Sequence, residues 1–148
     1  IDPDRVIGAG ESAGGFLMAG AGLTPNHDEA DKDTSVSSRP DALFLFRPVV
    51  DITSGRAARY RKASRTRGRI SPIKHVTKTA PPAFIVQGTA DGFLPETVKF
   101  AERYDAAGGR CKLVKIKGLS HTARTEEYYR AIREDGLSFL RRVGILDE

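Results

Sequence analysis

Short apolar runs alternate along the chain with longer stretches in which apolar residues recur at helical spacing. Runs rich in β-branched and aromatic side chains predict strands buried on both faces, and the longer stretches predict helices. In chain order, the pattern predicts a strand over residues 5–9, a helix over 13–23, strands over 42–46 and 83–87, a helix over 94–107, a strand over 111–116 and a helix over 125–143. Because strands alternate with helices, we expect an α/β fold of about four parallel strands with flanking helices.

Other segments carry weaker or modified signals. Residues 24–40 are polar and predict a surface loop, with a short helix allowed over 27–31, and residues 52–79 are the least defined. Within that second stretch, Ser71 and Pro72 are able to start a short helix. Lysines alternate with apolar residues over 111–117, which is typical of an edge strand with solvent on one side. Gly136 is expected to weaken the last helix by about 1 kcal/mol.

The length and composition of the chain favour one domain. It has 148 residues, of which 39% are hydrophobic and 29% charged, and these values are ordinary for an α/β domain. No apolar run approaches the roughly 18 residues of a membrane-spanning helix, so we expect no membrane span. The single cysteine, Cys111, excludes an internal disulfide. The compartment and the oligomeric state stay open.

The net charge of +5 comes from one local cluster of basic residues. Seven arginines and lysines lie between Arg56 and Arg69, and residues 52–90 contain no Asp or Glu. Such a cluster can contact the phosphates of a nucleic acid or another acidic surface. However, Tyr60 is the single aromatic residue interleaved with it, and no recognition fold surrounds it. We therefore favour a solvated connection and keep nucleic-acid binding as a less favoured alternative.

The most specific chemical signal is a Gly-x-Ser-x-Gly pattern centred on Ser12, between a predicted strand and a predicted helix. A serine hydroxyl is a poor nucleophile unless the backbone aims it and a base activates it. A tight strand-to-helix turn aims it, and such a turn needs small residues on both sides, here Gly10 and Gly14. The helix N-terminus also favours anionic charge at the site. The alternative interpretation is a glycine-rich turn that only links two elements.

A nucleophilic serine requires a base and an acid that orients the base. Asp91 follows the strand over 83–87, and His121 follows the strand over 111–116. Because sites in open α/β sheets form at the carboxyl ends of the strands, we expect Ser12, Asp91 and His121 to meet. Asp51 also follows an apolar strand and is an alternative acid. The other two histidines follow no strand end; they are His27 and His75.

Together these stretches resemble the C-terminal half of an α/β-hydrolase-fold serine esterase of the hormone-sensitive-lipase-like and acetyl-esterase-like groups. The resemblance covers almost the whole chain and is carried by DRVIGAGESAGG (4–15), FRPVVD (46–51), SPI (71–73), APPAFIVQGTAD (80–91), AAG (106–108) and GLSH (118–121). It implies Ser12 as nucleophile, His121 as base and Asp91 as acid, with the N–H group of Ala13 as an oxyanion donor. It further implies a small-molecule partner, a short-chain carboxylic ester, and neither a metal nor another cofactor.

The chain also departs from the family. Complete members are about twice as long and carry a His-Gly-Gly-type loop ahead of the serine, which supplies further oxyanion donors; this sequence contains no His-Gly-Gly. We therefore expect one domain over residues 1–148 without the N-terminal strands and that loop. Two alternatives to an autonomous esterase stay open: a non-catalytic or partner-dependent hydrolase fragment, and an oligopeptidase-type serine hydrolase. Glu11 beside Ser12 either pairs with a nearby positive group or is a bystander.

Overall fold

The computed structural model describes residues 2–25, 31, 33, 37–58 and 66–147, with residues 66 and 67 described by their backbone alone. Its strands form one parallel sheet in the order β1-β2-β3-β4. The strands are β1 (Ile7–Glu11), β2 (Ala42–Phe46), β3 (Ala83–Gly88) and β4 (Cys111–Ile116). The α/β fold with four parallel strands that the sequence predicts is therefore confirmed.

Helices follow the strands along the chain. They are α1 (Ala13–Leu23), α2 (Gly55–Ala58), α3 (Thr66–Ile70), a single 3₁₀ turn (Pro72–Lys74), α4 (Leu94–Ala106), α5 (Glu126–Arg130), a π-helical segment (Ala131–Gly136) and α6 (Leu137–Arg142). The predicted bounds of α1 agree with the structure, and β1 begins two residues later than predicted. The short helix expected over residues 27–31 lies outside the described residues, apart from Asp31.

The single helix expected over 125–143 is instead divided by a π-helical segment that ends at Gly136. A β-carbon added at Gly136 would lie 2.2 Å from the Cζ atom of Phe44 in β2. This glycine, which should weaken an isolated helix, lets the C-terminal helices pack directly on the sheet. The π-helical segment ends at this contact with β2, where we infer that tertiary packing outweighs regular helix geometry.

Apolar clusters cover both faces of the sheet. Successive side chains of β3 alternate between them, with Phe84 and Val86 in one cluster and Ile85 in the other. The first cluster also contains Phe139 from α6, whereas the second contains Phe100 from α4. Burying each of these large side chains stabilises the fold by about 1.5–3 kcal/mol relative to leaving it exposed. The sheet is thus a rigid platform for the loops at its carboxyl edge.

The two edges of the described sheet differ. At one edge, β4 pairs with β3 and with no other strand in the described part of the chain, as its alternating lysines predict. At the other edge, β1 pairs with β2 alone among the described strands. The adjacent helix α1 contains no charged residue. On its outward face, Leu17 is 62% exposed, and Ala13 and Ala21, one turn before and after it, are exposed too. This side of the molecule therefore presents an apolar surface.

Candidate active site

Ser12 occupies a strained turn between β1 and α1. Its φ of 52° and ψ of −112° lie in a region that residues with a β-carbon rarely adopt, at a cost of about 1–3 kcal/mol. The surrounding backbone holds this conformation: the Ser12 N–H donates to the carbonyl of Phe46 (2.9 Å), and the Ser12 carbonyl accepts from Val49 N–H (3.2 Å). The turn therefore fixes the direction of the hydroxyl.

Glycines make this turn sterically possible, but only one of the two glycines of the Gly-x-Ser-x-Gly pattern is tightly packed. A β-carbon at Gly10 would lie 2.3 Å from the carbonyl oxygen of Gly14, so no larger residue fits there. On the helical side, the tight position is Gly15, where a β-carbon would lie 2.8 Å from Pro48, whereas the corresponding space at Gly14 is open among the described residues. The expectation that Gly14 is required by packing is thus wrong, because Gly15, one residue further along α1, is the one that faces Pro48.

Ser12, His121 and Asp91 form one continuous series of hydrogen bonds. The distance from Ser12 Oγ to His121 Nε2 is 2.8 Å, and that from His121 Nδ1 to Asp91 Oδ2 is 2.7 Å. A carboxylate only accepts hydrogen bonds, so Nδ1 carries the proton and Nε2 is left to accept the serine hydroxyl. The Asp91 side chain is fully buried, and His121 is 28% exposed. The imidazole can therefore be approached from solvent while its acid is shielded.

Asp91 is held by donors besides His121. Gln87 Nε2 donates to Oδ2 at 2.6 Å, and the Phe93 backbone N–H donates to Oδ1 at 3.0 Å. The hydroxyl of Thr97 in turn donates to Gln87 Oε1 at 3.3 Å. These bonds satisfy a buried carboxylate, which would otherwise be costly to desolvate. Sequence reasoning missed Gln87; its signal is a lone polar side chain in the otherwise apolar, fully buried strand β3.

The alternative acid, Asp51, is engaged elsewhere. Its carboxylate accepts hydrogen bonds from the Thr53 backbone and hydroxyl (2.7 Å each), from Ser54, and from Ser71 (3.0 Å). Burial alone would raise the pKa of Asp51, but the hydrogen bonds from Ser54, Thr53 and Ser71 together outweigh it and lower the pKa to about 2. The structure thus brings Asp91, and not Asp51, to His121.

Glu11, beside Ser12, is paired with two arginines. Arg124 Nη2 lies 3.0 and 2.8 Å from the two carboxylate oxygens of Glu11, and Arg47 Nη2 faces Oε1. Arg47 is fully buried, its guanidinium lies 4.7 Å from the centre of the Tyr128 ring, and its Nη1 donates to the carbonyl of Ala123. The question that the sequence leaves open is settled in favour of pairing.

The other candidate residues are not members of the Ser12–His121–Asp91 series of hydrogen bonds. Ala13 is the first residue of α1, so its N–H has no acceptor within the helix and can serve a ligand at the turn. His75 is half-buried and hydrogen-bonded to the carbonyl of Arg69 at 2.7 Å, and His27 lies outside the described residues. Within the part of the chain that the structure describes, no group of three or more His, Cys, Asp or Glu side chains could hold a metal ion.

The basic cluster is described only in part. The Arg56 guanidinium of this cluster lies 5.5 Å from the centre of the Phe93 ring, and the centre of that ring lies 5.0 Å from that of the His121 ring. Residues 59–65, which include Tyr60, lie outside the described residues, and binding of this cluster to a nucleic acid or acidic surface stays a prediction. None of the described helices is long and apolar enough to span a membrane.

Sequence comparison identifies the family to which the chain belongs. The signature of the alpha/beta hydrolase fold family matches residues 23–125, more than half of the chain, and the chain therefore belongs to this family. Asp91 and His121 lie within the matched range, and Ser12 precedes it. The resemblance drawn from the sequence motifs is confirmed.

Particular relatives are esterases. The chain is 32% identical over 117 residues to the probable carboxylic ester hydrolase LipM of Mycobacterium tuberculosis, an alignment covering 64% of this chain and 26% of LipM. Its fold is similar to that of Thermogutta terrifontis esterase 2 phosphoramylated by tabun (TM-score 0.86, 30% identity, 100% of this chain and 58% of that chain). The propionate-bound form of the same esterase gives a TM-score of 0.84 at 29% identity, again covering 100% of this chain and 59% of that one. The chain thus spans little more than half the length of this esterase.

Proposed function

We propose that this chain carries the nucleophile, base and acid of a serine carboxylic ester hydrolase that cleaves short-chain esters. The observation that carries the proposal is the unbroken series of hydrogen bonds from Ser12 through His121 to the buried Asp91. The strained backbone of Ser12 supports it, because such strain persists where a turn must present a reacting group. Membership of the alpha/beta hydrolase fold family and similarity to esterases are consistent with this chemistry.

In the first half of the reaction, Ser12 Oγ attacks the ester carbonyl carbon while His121 Nε2 takes its proton. The carbonyl π electrons move to oxygen and form an oxyanion beside the N-terminus of α1, where the Ala13 N–H donates to it. Asp91 remains ionised and stabilises the imidazolium through Nδ1. Collapse of the intermediate breaks the bond to the alkoxy oxygen, which receives the proton from His121 and leaves as the alcohol.

The second half releases the acid. A water molecule, deprotonated by His121, attacks the acyl-serine carbonyl, and collapse of the second intermediate returns the proton to Ser12 Oγ. Because the sequence contains no His-Gly-Gly loop, Ala13 supplies the oxyanion donor that this chain offers. Each absent donor typically costs on the order of 100- to 1000-fold in rate. We therefore expect slow turnover by this chain, with the order of events unchanged.

The preference for short acyl groups rests on the esterase 2 relatives. Structures of that enzyme contain propionate and butyrate, which are the acids that short-chain esters release. The proposal extends this acyl size to the present chain. It is tested with p-nitrophenyl esters of increasing acyl length, and a kcat/KM that rises beyond butyrate would contradict it. The oligopeptidase alternative is tested in parallel with a peptide p-nitroanilide.

The decisive test of the proposed chemistry is p-nitrophenyl acetate hydrolysis by the wild-type chain, by Ser12→Ala and by Ser138→Ala. Ser138 is an exposed serine on α6 and serves as the matched control. Activity that is lost in Ser12→Ala and retained in Ser138→Ala supports the proposal. Equal rates for wild type and Ser12→Ala, in chains that circular dichroism shows to be folded, would refute it for this chain.

A second candidate function is a hydrolase domain that works only beside a partner. The observation that favours it is the side of the molecule formed by β1 and the apolar face of α1 around Leu17. A wild-type chain that is folded but does not hydrolyse p-nitrophenyl acetate would favour this second function.

A further inference from the structure

The loop that carries His121 has little regular structure of its own. It connects β4 to α5, and residues 119–125 belong to neither a helix nor a strand. At its start, the Leu119 carbonyl accepts from the Ala90 N–H at 3.1 Å, and at its end the Thr125 hydroxyl accepts from the Tyr128 N–H at 3.2 Å and caps α5. Between these two anchors, contacts with other parts of the chain must determine where the imidazole lies.

Two of those contacts converge on Glu11. Arg124, three residues after His121, places Nη2 within 3.0 Å of both Glu11 carboxylate oxygens. Arg47 faces the same carboxylate and also donates to the carbonyl of Ala123. Glu11 directly precedes Ser12, so one carboxylate joins the turn that carries the serine to the loop that carries the histidine.

Arg47 makes this carboxylate hard to replace. Its guanidinium is fully buried beneath the loop, and a buried cation is costly unless a counter-ion lies close to it. Glu11 is the carboxylate that it faces. The side chain of Glu11 is therefore fixed by Arg47 from inside the fold, and the fixed carboxylate in turn receives Arg124 from the solvent side.

We propose that the Glu11–Arg124 ion pair is a positioning link that holds the His121 loop against the Ser12 turn and maintains the hydrogen bond between Ser12 and His121. The proposal rests on the proposed function, because it assigns these two residues to the same site. Neither touches the reacting atoms in this account, so both act through the placement of His121. A displacement of about 1 Å at a catalytic group can reduce a rate on the order of 100-fold.

The test uses Arg124→Gln, because Arg124 is half exposed and its removal leaves the buried Arg47 with Glu11. The matched control is Arg133→Gln, which removes an exposed arginine that pairs with Glu126 at 2.6 Å and not with Glu11. We expect Arg124→Gln to lower kcat for p-nitrophenyl acetate by about tenfold or more with KM changed less than about twofold. Arg133→Gln should keep the wild-type values, and Arg124→Lys, which retains the charge, should recover part of kcat.

A double variant tests whether the two residues act as one unit. Glu11→Gln with Arg124→Gln should lose no more kcat than Glu11→Gln alone, because either change breaks the same link. Multiplicative losses would contradict the link. A raised KM with unchanged kcat in Arg124→Gln would also overturn the proposal, since it would mean that Arg124 contacts the substrate.

A measurement independent of activity separates failure of the link from failure of the proposed function. In proton NMR spectra, the His121 Nδ1–H bonded to Asp91 should give a downfield signal that stays sharp in wild type and Arg133→Gln. We expect this signal to broaden in Arg124→Gln as the loop loosens. Identical signals in all three chains would refute the positioning role, whether or not the wild-type chain hydrolyses esters. If hydrolysis does not depend on Ser12 but the broadening occurs, the proposed function fails and the link stands.

Discussion

Asp51 gives a prediction whose size follows from the structure. Hydrogen bonds from Thr53, Ser54 and Ser71 hold its pKa at about 2, compared with an ordinary value of 3.8. One pKa unit corresponds to about 1.36 kcal/mol, so the ionised Asp51 stabilises the folded chain by about 2 kcal/mol at neutral pH. We expect Asp51→Asn to lose about this much free energy of unfolding at pH 7, because the amide nitrogen faces groups that donate.

The pH dependence of that loss provides the stronger test. The folded-state pKa lies below the unfolded-state value, so the stabilisation is fully present above about pH 4 and is lost as the pH falls through about 2. Urea unfolding of wild type and Asp51→Asn at pH 7, 4 and 2.5 should therefore show a difference that shrinks towards acid. The exposed Asp105 provides the control, and Asp105→Asn should differ little from wild type at every pH.

Two results would refute this reasoning. If Asp51→Asn unfolds at the same urea concentration as wild type at pH 7, the hydrogen bonds do not stabilise the ionised form. The second result concerns the assignment of the acid. If Asp51→Asn loses only the expected free energy of unfolding and remains folded, but no longer hydrolyses esters at pH 7, then Asp51 acts in the reaction. Its role as the alternative acid would then have to be reconsidered in place of Asp91.

Three further predictions follow from the site and its surroundings. Asp91→Asn should lower kcat on the order of 10³- to 10⁴-fold in the p-nitrophenyl acetate assay, because the neutral amide favours the wrong imidazole tautomer; a loss below tenfold would contradict its role as the acid. Gly10→Ala should lower the free energy of unfolding by about 2 kcal/mol or more, because the added methyl group overpacks the turn. Gly14→Ala, in open space on α1, should be neutral or should raise the free energy of unfolding by up to about 1 kcal/mol. Equal urea midpoints for the two variants would contradict the turn geometry. Leu17→Lys should raise the concentration at which light scattering detects association, without changing the circular dichroism spectrum, and unchanged association would show that the apolar face of α1 is not responsible.

Sequence patterning predicted the elements of this fold because each depends on short-range signals. The apolar runs of β2 and β3 are short and rich in aromatic or β-branched residues, which favours buried strands, and glycines after α4 mark its end. The break in the C-terminal helix could not be read in the same way. It depends on the distance between Gly136 and Phe44, which lie far apart in sequence and meet only in the folded chain.

The same distinction applies to the site. Ser12, Asp91 and His121 each follow a strand, so topology alone predicts that they share one edge of the sheet. The choice between Asp91 and Asp51 required knowledge of which carboxylate already accepts hydrogen bonds from other groups. One donor to Asp51 is Ser71, which is 20 residues away in sequence and meets it only in the folded chain. The sequence raised the possibility that Glu11 is paired, but it could not identify Arg47 and Arg124 as the partners, because nothing in the sequence marks Arg47 as a buried residue.

Ser12 and His121 are 109 positions apart in the sequence. Ser12 follows β1 and His121 follows β4, and these strands are at opposite edges of the described sheet. The hydrogen bond between Ser12 and His121 can form only after the first and the last strand have joined the same sheet. Ester hydrolysis by a refolding sample should consequently recover later than helical circular dichroism, since contacts between distant residues close slowly. A titration of reactive serines would then count the molecules that have completed their fold, and would distinguish them from molecules that have merely collapsed.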